Sequence, residues 1–292
     1  MKLVKPYFEI WEQPAGLEGV YKQIEKVGRV CYKSEDKITE DSAKLFVVRM
    51  IKSGHGAMLE HGTVYLFCPT EDYVDSNGDV QYYNPLEKYQ DNNYSALEDS
   101  NEGMYVTTNL RVLVENGWMG DLQYLWEPTE FHEKRITVHF VCDRGISHEF
   151  VRHRAMSFAQ ESTRYCNYSK DKFGNELTFI IPCWVGEKQE NVSLENRDIC
   201  GNTYAELCFK ENLAKAERAY FTLIKEGWKP QEARTVLPNS LKTELVVTGF
   251  VSDWDYFFDL RARGTTGAPH PQAKELAEPL MREFITRKYI NN

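Results

Sequence analysis

The stretch Arg135–Tyr165, "RITVHFVCDRGISHEFVRHRAMSFAQESTRY", sets a buried strand beside a cluster of cations. Its first eight residues alternate, with Ile136, Val138 and Phe140 on one face, which predicts a strand in the core. Asp143-Arg144-Gly145 then reads as a turn, and Ser147 as the cap of a helix with Phe150 and Val151 on its inner face. That helix delivers Arg152, His153 and Arg154 near its C-terminal end, and Arg164 follows. From Arg144 to Lys170 there are five basic residues and only two acidic ones, Glu149 and Glu161. Guanidinium forks grip phosphate in pairs, so an external diphosphate or nucleotide is the expected partner. Ser157, Gln160, Ser162 and Thr163 add neutral groups that can read a base or ribose edge. The alternative is a solvated basic turn.

Outward from this stretch, strands and helices mix without regular alternation, which favours an α+β fold with a mixed or antiparallel central sheet flanked by helices. Residues 39–53 predict an amphipathic helix capped by Asp41 or Thr39, with Leu45, Val48, Met50 and Ile51 inward and Gly54 as its stop. A Gly-rich loop then enters a strand with Val64, Leu66 and Cys68 on one face. Asn77-Gly78 between strand-like flanks signals a hairpin. A calcium loop is not expected there, because Tyr73 and Asn84 stand where its first carboxylate and bidentate Glu belong. Residues 104–117 read as strand or helix start, and "LTFIIPCW" (177–184) as a strand closed by Pro182. A long helix is expected over 203–226, ending at Gly227, and a shorter one from Pro230 carrying Arg234. From Leu241 the pattern is a strand, a turn at Ser252-Asp253, and a helix ending near Arg263. A last helix runs from about Pro271 to Lys288.

At 292 residues the length allows one or two domains, and no linker divides the chain, so a single domain over 1–292 is expected. The net charge of −9 argues against a general nucleic-acid or anionic-membrane binder. That acidity is local: Glu71 to Glu102 holds nine acidic residues against Lys88 alone. No apolar run is long enough to span a membrane, and the N-terminal residues meet charge too early for a secretory signal. The seven cysteines are scattered without a CxxC pair, as expected for reduced thiols in the cytoplasm.

Arg152-His153-Arg154, seven residues, Ser162 and then Arg164-Tyr165 resemble the RHR-x7-S signature of the flavin-dependent thymidylate synthases. "GHGAMLEH" (54–61) resembles that family's Gly-His loop and "RGISHEFVRHR" its approach to the signature. "EARTVLPNSLKTEL" (232–245) is similar to its Arg-x-x-Leu-Pro segment, "FFDLRAR" (257–263) to its Leu-Arg element, and "HPQAKELA" (270–277) to its terminal helix. The resemblance implies reductive methylation of dUMP to dTMP, with methylenetetrahydrofolate as carbon donor, reduced FAD as hydride donor and NADPH as reductant. It implies a homotetramer with active sites shared between subunits.

Carried over by resemblance, Cys31, His55, Ala57, Arg152, His153, Arg154, Gln160 and His270 contact FAD. Glu149, Arg152, Gln160, Glu161, Ser162, Thr163, Arg164 and Arg234 hold dUMP. Arg261 occupies the place of the catalytic arginine that stabilises negative charge on the uracil ring. The chain departs from the family pattern at Gln160, where Glu is typical, and at Cys31 and Ala57, where hydroxyl residues are. "GFVSDWDY" (249–256) lacks the Asn and Arg of some members, and 69–104 and 185–203 have the character of insertions. A non-catalytic flavin or nucleotide module is the alternative that these departures suggest.

Ser162 lacks a Gly-x-Ser-x-Gly elbow and is expected to bind rather than attack. Flanked by two arginines, His153 is expected to stay neutral. Cys183, ending an apolar strand, is expected to be inert, and the spacing of His55 and His61 is not that of a helical zinc site.

Overall fold

The computed structural model describes residues 1–74, 80–185 and 203–291. β1 (Lys2–Val4) and β2 (Tyr7–Trp11) lead into α1 (Gly16–Tyr32), α2 (Ser42–Lys52) and the single turn α3 (Gly56–Leu59). β3 (Thr63–Pro69), β4 (Glu71–Val74), β5 (Val80–Tyr83), β6 (Ala96–Ser100) and β7 (Gly103–Asn109) follow. Then come α4 (Leu110–Glu115), β8 (Arg135–Asp143), α5 (Arg144–Phe150), β9 (Ser157–Gln160) and β10 (Thr178–Ile180). The chain continues through α6 (Tyr204–Lys225), α7 (Pro230–Ala233), β11 (Lys242–Phe250), α8 (Val251–Phe258) and α9 (Pro271–Thr286).

The central sheet is antiparallel throughout, in the order β2-β8-β11-β9. A second antiparallel sheet runs β3-β7-β6, β1 pairs with β10 in parallel, and β4 pairs with β5. This is the expected α+β class. The Asn77-Gly78 turn lies outside the described residues, as does 186–202 of the second insertion.

All nine residues of β8 are buried, because both of its faces are covered. Ile136, Val138 and Phe140, with Leu245 and Val247 of β11, pack against Trp254, Phe257 and Phe258 of α8 and Leu276, Leu280 and Phe284 of α9. Each large side chain removed from water here contributes about 1.5–3 kcal/mol. On the opposite face, Val246 and Ala159 meet Val27 and Val30 of α1. That helix was not expected, although Val20, Ile24 and Val27 repeat at helical spacing. Its Gly28 permits a close crossing with α2, since a Cβ there would sit 2.5 Å from the Phe46 ring.

Several local expectations change. The buried face of α2 is Ala43, Phe46, Val47 and Met50, while Leu45 is 69% exposed and Val48 39%. The helix is rotated because packing on α1, rather than the count of apolar residues, chose its inward face. Asp143, not Ser147, caps α5 by accepting from Ile146 N at 2.7 Å, so Arg144 and Gly145 of the supposed turn are already helix. Val151 is exposed rather than inward. No turn intervenes at Ser252-Asp253: α8 starts directly after β11, and the Asp253 carboxylate accepts from Phe250 N at 3.1 Å. The 104–117 segment is both alternatives in succession, β7 and then α4. Among the described residues no helix is long and apolar enough to cross a membrane.

Candidate active site

The first cluster forms where α5 meets the π-helical turn Asp259–Arg263 that follows α8. Arg261 Nη1 donates to Glu149 Oε2 at 2.6 Å, and its Nη2 to the Glu149 carbonyl at 2.9 Å. Its Nε donates to His153 Nε2 at 3.1 Å. Since a guanidinium N–H only donates, His153 must present a lone pair at Nε2 and carry its proton on Nδ1. Burial, and next the charge of Arg261, push the His153 pKa down to about 4, so the ring is neutral at pH 7. The cation responsible is Arg261 rather than the sequence neighbours, because Arg152 and Arg154 are both exposed. His153 Nδ1 is buried without a hydrogen-bond partner among the described residues. Arg152 and Arg154 likewise form no side-chain ion pair there.

After His153 the chain reverses through Ala155, at φ 71°, into β9, a strand not anticipated from the sequence. Pairing of β9 with β11 brings Gln160 Nε2 to 2.8 Å from Ser147 Oγ and 3.2 Å from Thr243 Oγ1. Ser162 N donates to the Cys31 carbonyl at 3.0 Å, and Arg164 N to Ser162 Oγ at 3.3 Å. Arg234 Nη1 donates to Thr163 Oγ1 at 3.1 Å. These last two residues line a 330 Å³ cavity with Arg144, His148 and Asn239. Arg144 and His148 were missed by the sequence reading. Their signal was the i, i+4 spacing, which puts both on one face of α5. Arg144 Nη1 is buried and lacks a partner among the described residues.

Thus α5 serves two clusters from faces roughly 100–140° apart. Glu149 and His153 meet Arg261, whereas Arg144 and His148 stand with Arg234. Within this chain Arg144 and Arg234 line that cavity and Arg261 does not, while Arg154 and Arg164 are exposed. Glu161 does not join either cluster: it is 2% exposed, with its carboxylate turned inward to Tyr168 and Lys242. Ser162 has the Cys31 carbonyl and Arg164 N as its near partners.

His55 and Ala57 are exposed around the start of α3. Cys31 lies near them, its Sγ 3.9 Å from Met58 Sδ, and burial pushes its thiol pKa up to about 11. His270 begins α9 with its ring 6.0 Å from that of Trp184. His61 is remote in environment from His55: it is buried on Thr248 Oγ1 at 2.8 Å, while Glu60 pairs with Arg111. Those two residues satisfy a strand hydroxyl and a helix cation. Cys183 lies beyond the end of β10 and is half-buried. A second cavity of 250 Å³, between the start of α1 and β8, contains none of the predicted site residues.

A flavin nucleotide fits this donor set. The orphaned His153 Nδ1–H can donate to a heteroaromatic ring, and unpaired Arg152 and Arg154 suit a diphosphate. Ala57 and Cys31 offer it no hydroxyl, leaving backbone groups there.

Residues 90–287 match the family model described as thymidylate synthase complementing protein. A flavin-dependent thymidylate synthase of Corynebacterium aurimucosum is 24% identical over 277 residues, 94% of this chain and 80% of that one. The enzyme of the same name from Corynebacterium efficiens is 35% identical over 123 residues, 41% of this chain and 46% of its own length. A solved structure of the UMP/dUMP methylase PolB from Streptomyces cacaoi aligns over 98% of this chain and 92% of that one, with TM-score 0.46 and 16% identity. With more than half its length matched by the family model, the chain belongs to the thymidylate synthase complementing protein family, whose curated relatives here are flavin-dependent thymidylate synthases.

Proposed function

We propose that this protein is a flavin-dependent thymidylate synthase that converts dUMP to dTMP. Methylenetetrahydrofolate brings the carbon as a methylene group, and a methyl product then requires one hydride. Reduced FAD supplies that hydride when bound, and NADPH restores its reducing equivalents. The observation that carries the reading is the Arg261–Glu149–His153 cluster, a fixed cation beside a neutral imidazole. Uracil carbon 5 attacks only when electron density is pushed onto it, and negative charge then builds on the ring. A guanidinium already oriented by two partners stabilises that charge without reorganising.

In this reading Arg261 is the catalytic residue, and Glu149 and Arg152 approach dUMP beside it. Gln160, Ser162, Thr163, Arg164 and Arg234 hold the nucleotide from the second cluster. Cys31, His55, Ala57, Arg152, His153, Arg154, Gln160 and His270 are the flavin contacts. The separation of the clusters on one chain supports a homotetramer in which Arg261 of one subunit completes the Arg234 half-site of another. A cytoplasmic location suits the free thiols at Cys31, Cys68, Cys142, Cys166 and Cys208.

The test is tritium release from carbon-5-labelled dUMP in the presence of the folate and NADPH, with purified protein first inspected for yellow colour that NADPH bleaches. Release that depends on all three additions supports the proposal. Protein that binds flavin and dUMP yet never releases tritium would instead be a non-catalytic module.

A further inference from the structure

The turn leaving β9 is held from beneath by buried charge that the proposed chemistry does not use. One oxygen of the inward-facing Glu161 carboxylate accepts from Tyr168 Oη at 3.0 Å, the other from Lys242 Nζ at 2.9 Å. Lys242 Nζ also donates to Glu244 Oε1, which accepts from Lys33 Nζ at 2.8 Å as well. Glu244 Oε2 meets His139 Nε2 at 3.0 Å, and Lys33 reaches Glu35 at 2.9 Å. The main chain ties the same pieces together: Glu161 N donates to the Glu244 carbonyl at 2.9 Å and Ser162 N to the Cys31 carbonyl at 3.0 Å. The turn is therefore fastened twice to β11 and once to the end of α1, and Lys33 links that end to Glu244 of β11.

Lys33 is the less obvious member. It stands at φ 47°, a left-handed position where lysine is strained and glycine is not. What lysine adds there is an ammonium that reaches Glu244. Burial alone would raise the Glu244 pKa, but His139, Lys242 and Lys33 outweigh it and hold the carboxyl well below the usual range. Glu244 is thus a carboxylate at neutral pH. Such a network is a weak source of stability, since desolvation offsets much of the attraction and apolar residues of equal volume can hold a fold as well. Its distinctive property is direction, because charge-assisted hydrogen bonds fix the rotamers they join.

We infer that Lys242, with Glu244 and Lys33 behind it, is a positioning group for nucleotide binding: by holding the Glu161 carboxylate it fixes where Ser162, Thr163 and Arg164 stand. It sets the affinity for dUMP without touching it, and Glu161 is an anchor rather than a ligand. This rests on the assignment of dUMP to residues 162–164 proposed above.

Calorimetric titration of dUMP into the flavin-loaded enzyme tests it, using wild type, Lys242→Met, Lys242→Arg and Lys33→Gly. Lys242→Met leaves Glu161 buried and short of a partner, and the dUMP Kd is expected to rise about tenfold or more. Lys242→Arg recovers most of that loss. In both, the flavin absorbance spectrum is unchanged and kcat at saturating dUMP stays within about threefold, the mark of a ground-state binding effect. Lys33→Gly relieves backbone strain, so it folds even where Lys242→Met does not, and it too weakens dUMP binding. Unchanged dUMP affinity in the folded variants overturns the positioning role. Flavin, kcat and dUMP affinity falling together with the melting temperature overturns it as well, because that pattern is general structural damage. Wild-type holoenzyme that fails to bind dUMP overturns the proposed function and this inference with it, a result distinguished by the wild-type titration alone.

Discussion

Arg261 and Arg234 are both arginines on short helical turns, yet their surroundings are opposite. Arg261 is 17% exposed, with its charge met by Glu149 and its third nitrogen held by His153. Arg234 is exposed, bonded to one threonine hydroxyl, and shares its cavity with two more basic residues, Arg144 and His148. Neither Arg144, Arg164 nor Arg234 has a carboxylate partner among the described residues. A cation compensated and oriented in advance suits charge that appears only during reaction. A cluster of cations without anions suits charge that arrives already formed, such as a phosphate. In the proposed function the difference separates a catalytic contribution from a binding one.

The largest expected effect breaks the first region. Arg261→Ala should lower kcat roughly 10²–10³-fold, the scale of removing one oriented donor, and raise the dUMP Kd much less. Equal losses in both quantities would reduce Arg261 to an ordinary binding residue. Arg234→Ala should do the reverse, raising KM for dUMP roughly tenfold while kcat changes little. Its effect should shrink as salt rises, because an exposed cation is screened. Steady-state kinetics at two ionic strengths would decide it, and a salt-independent loss would contradict the contrast drawn here.

A smaller effect sharpens the contrast through pH. His153 has a folded pKa near 4, below its unfolded value of about 6.5. The unfolded chain therefore binds a proton that the folded chain refuses, and stability falls as pH drops from about 6.5 through 4. One proton is worth at most about 1.4 kcal/mol per pH unit over that window. His153→Gln should lose less stability than wild type between pH 6.5 and 4.5 in urea melts, with His61 leaving part of the acid sensitivity in place. Identical pH slopes would mean that the folded state does not lower the His153 pKa. Cys183 belongs to neither region, and Cys183→Ala should keep dTMP formation within about twofold of wild type. Complete loss with flavin still bound would make it a nucleophile after all.

Much of the architecture was readable where one periodicity dominates. β3 and β8 alternate, α6 runs long and is capped by Thr203, and α9 begins at a proline, so each was placed to within a few residues. β9 was not, because four residues leaving a basic turn carry too little pattern, and only pairing with β11 makes them a strand. The inward face of α2 was misjudged for a related reason. Exposed Leu45 and Val48 look like core until Phe46 meets Gly28 of α1.

For the site, the sequence by itself determined which chemistry is on offer: arginines, a histidine and amides in an order that resembles one family. Side-chain type and local spacing carry that information, and they do not depend on the fold. Only the tertiary structure decided what each group faces. It turned Glu161 inward, gave His153 a distant arginine as its partner, and divided the cations between two faces of α5. Those outcomes depend on strand register and helix crossing, where contacts between residues a hundred positions apart outweigh anything a neighbour in sequence can impose.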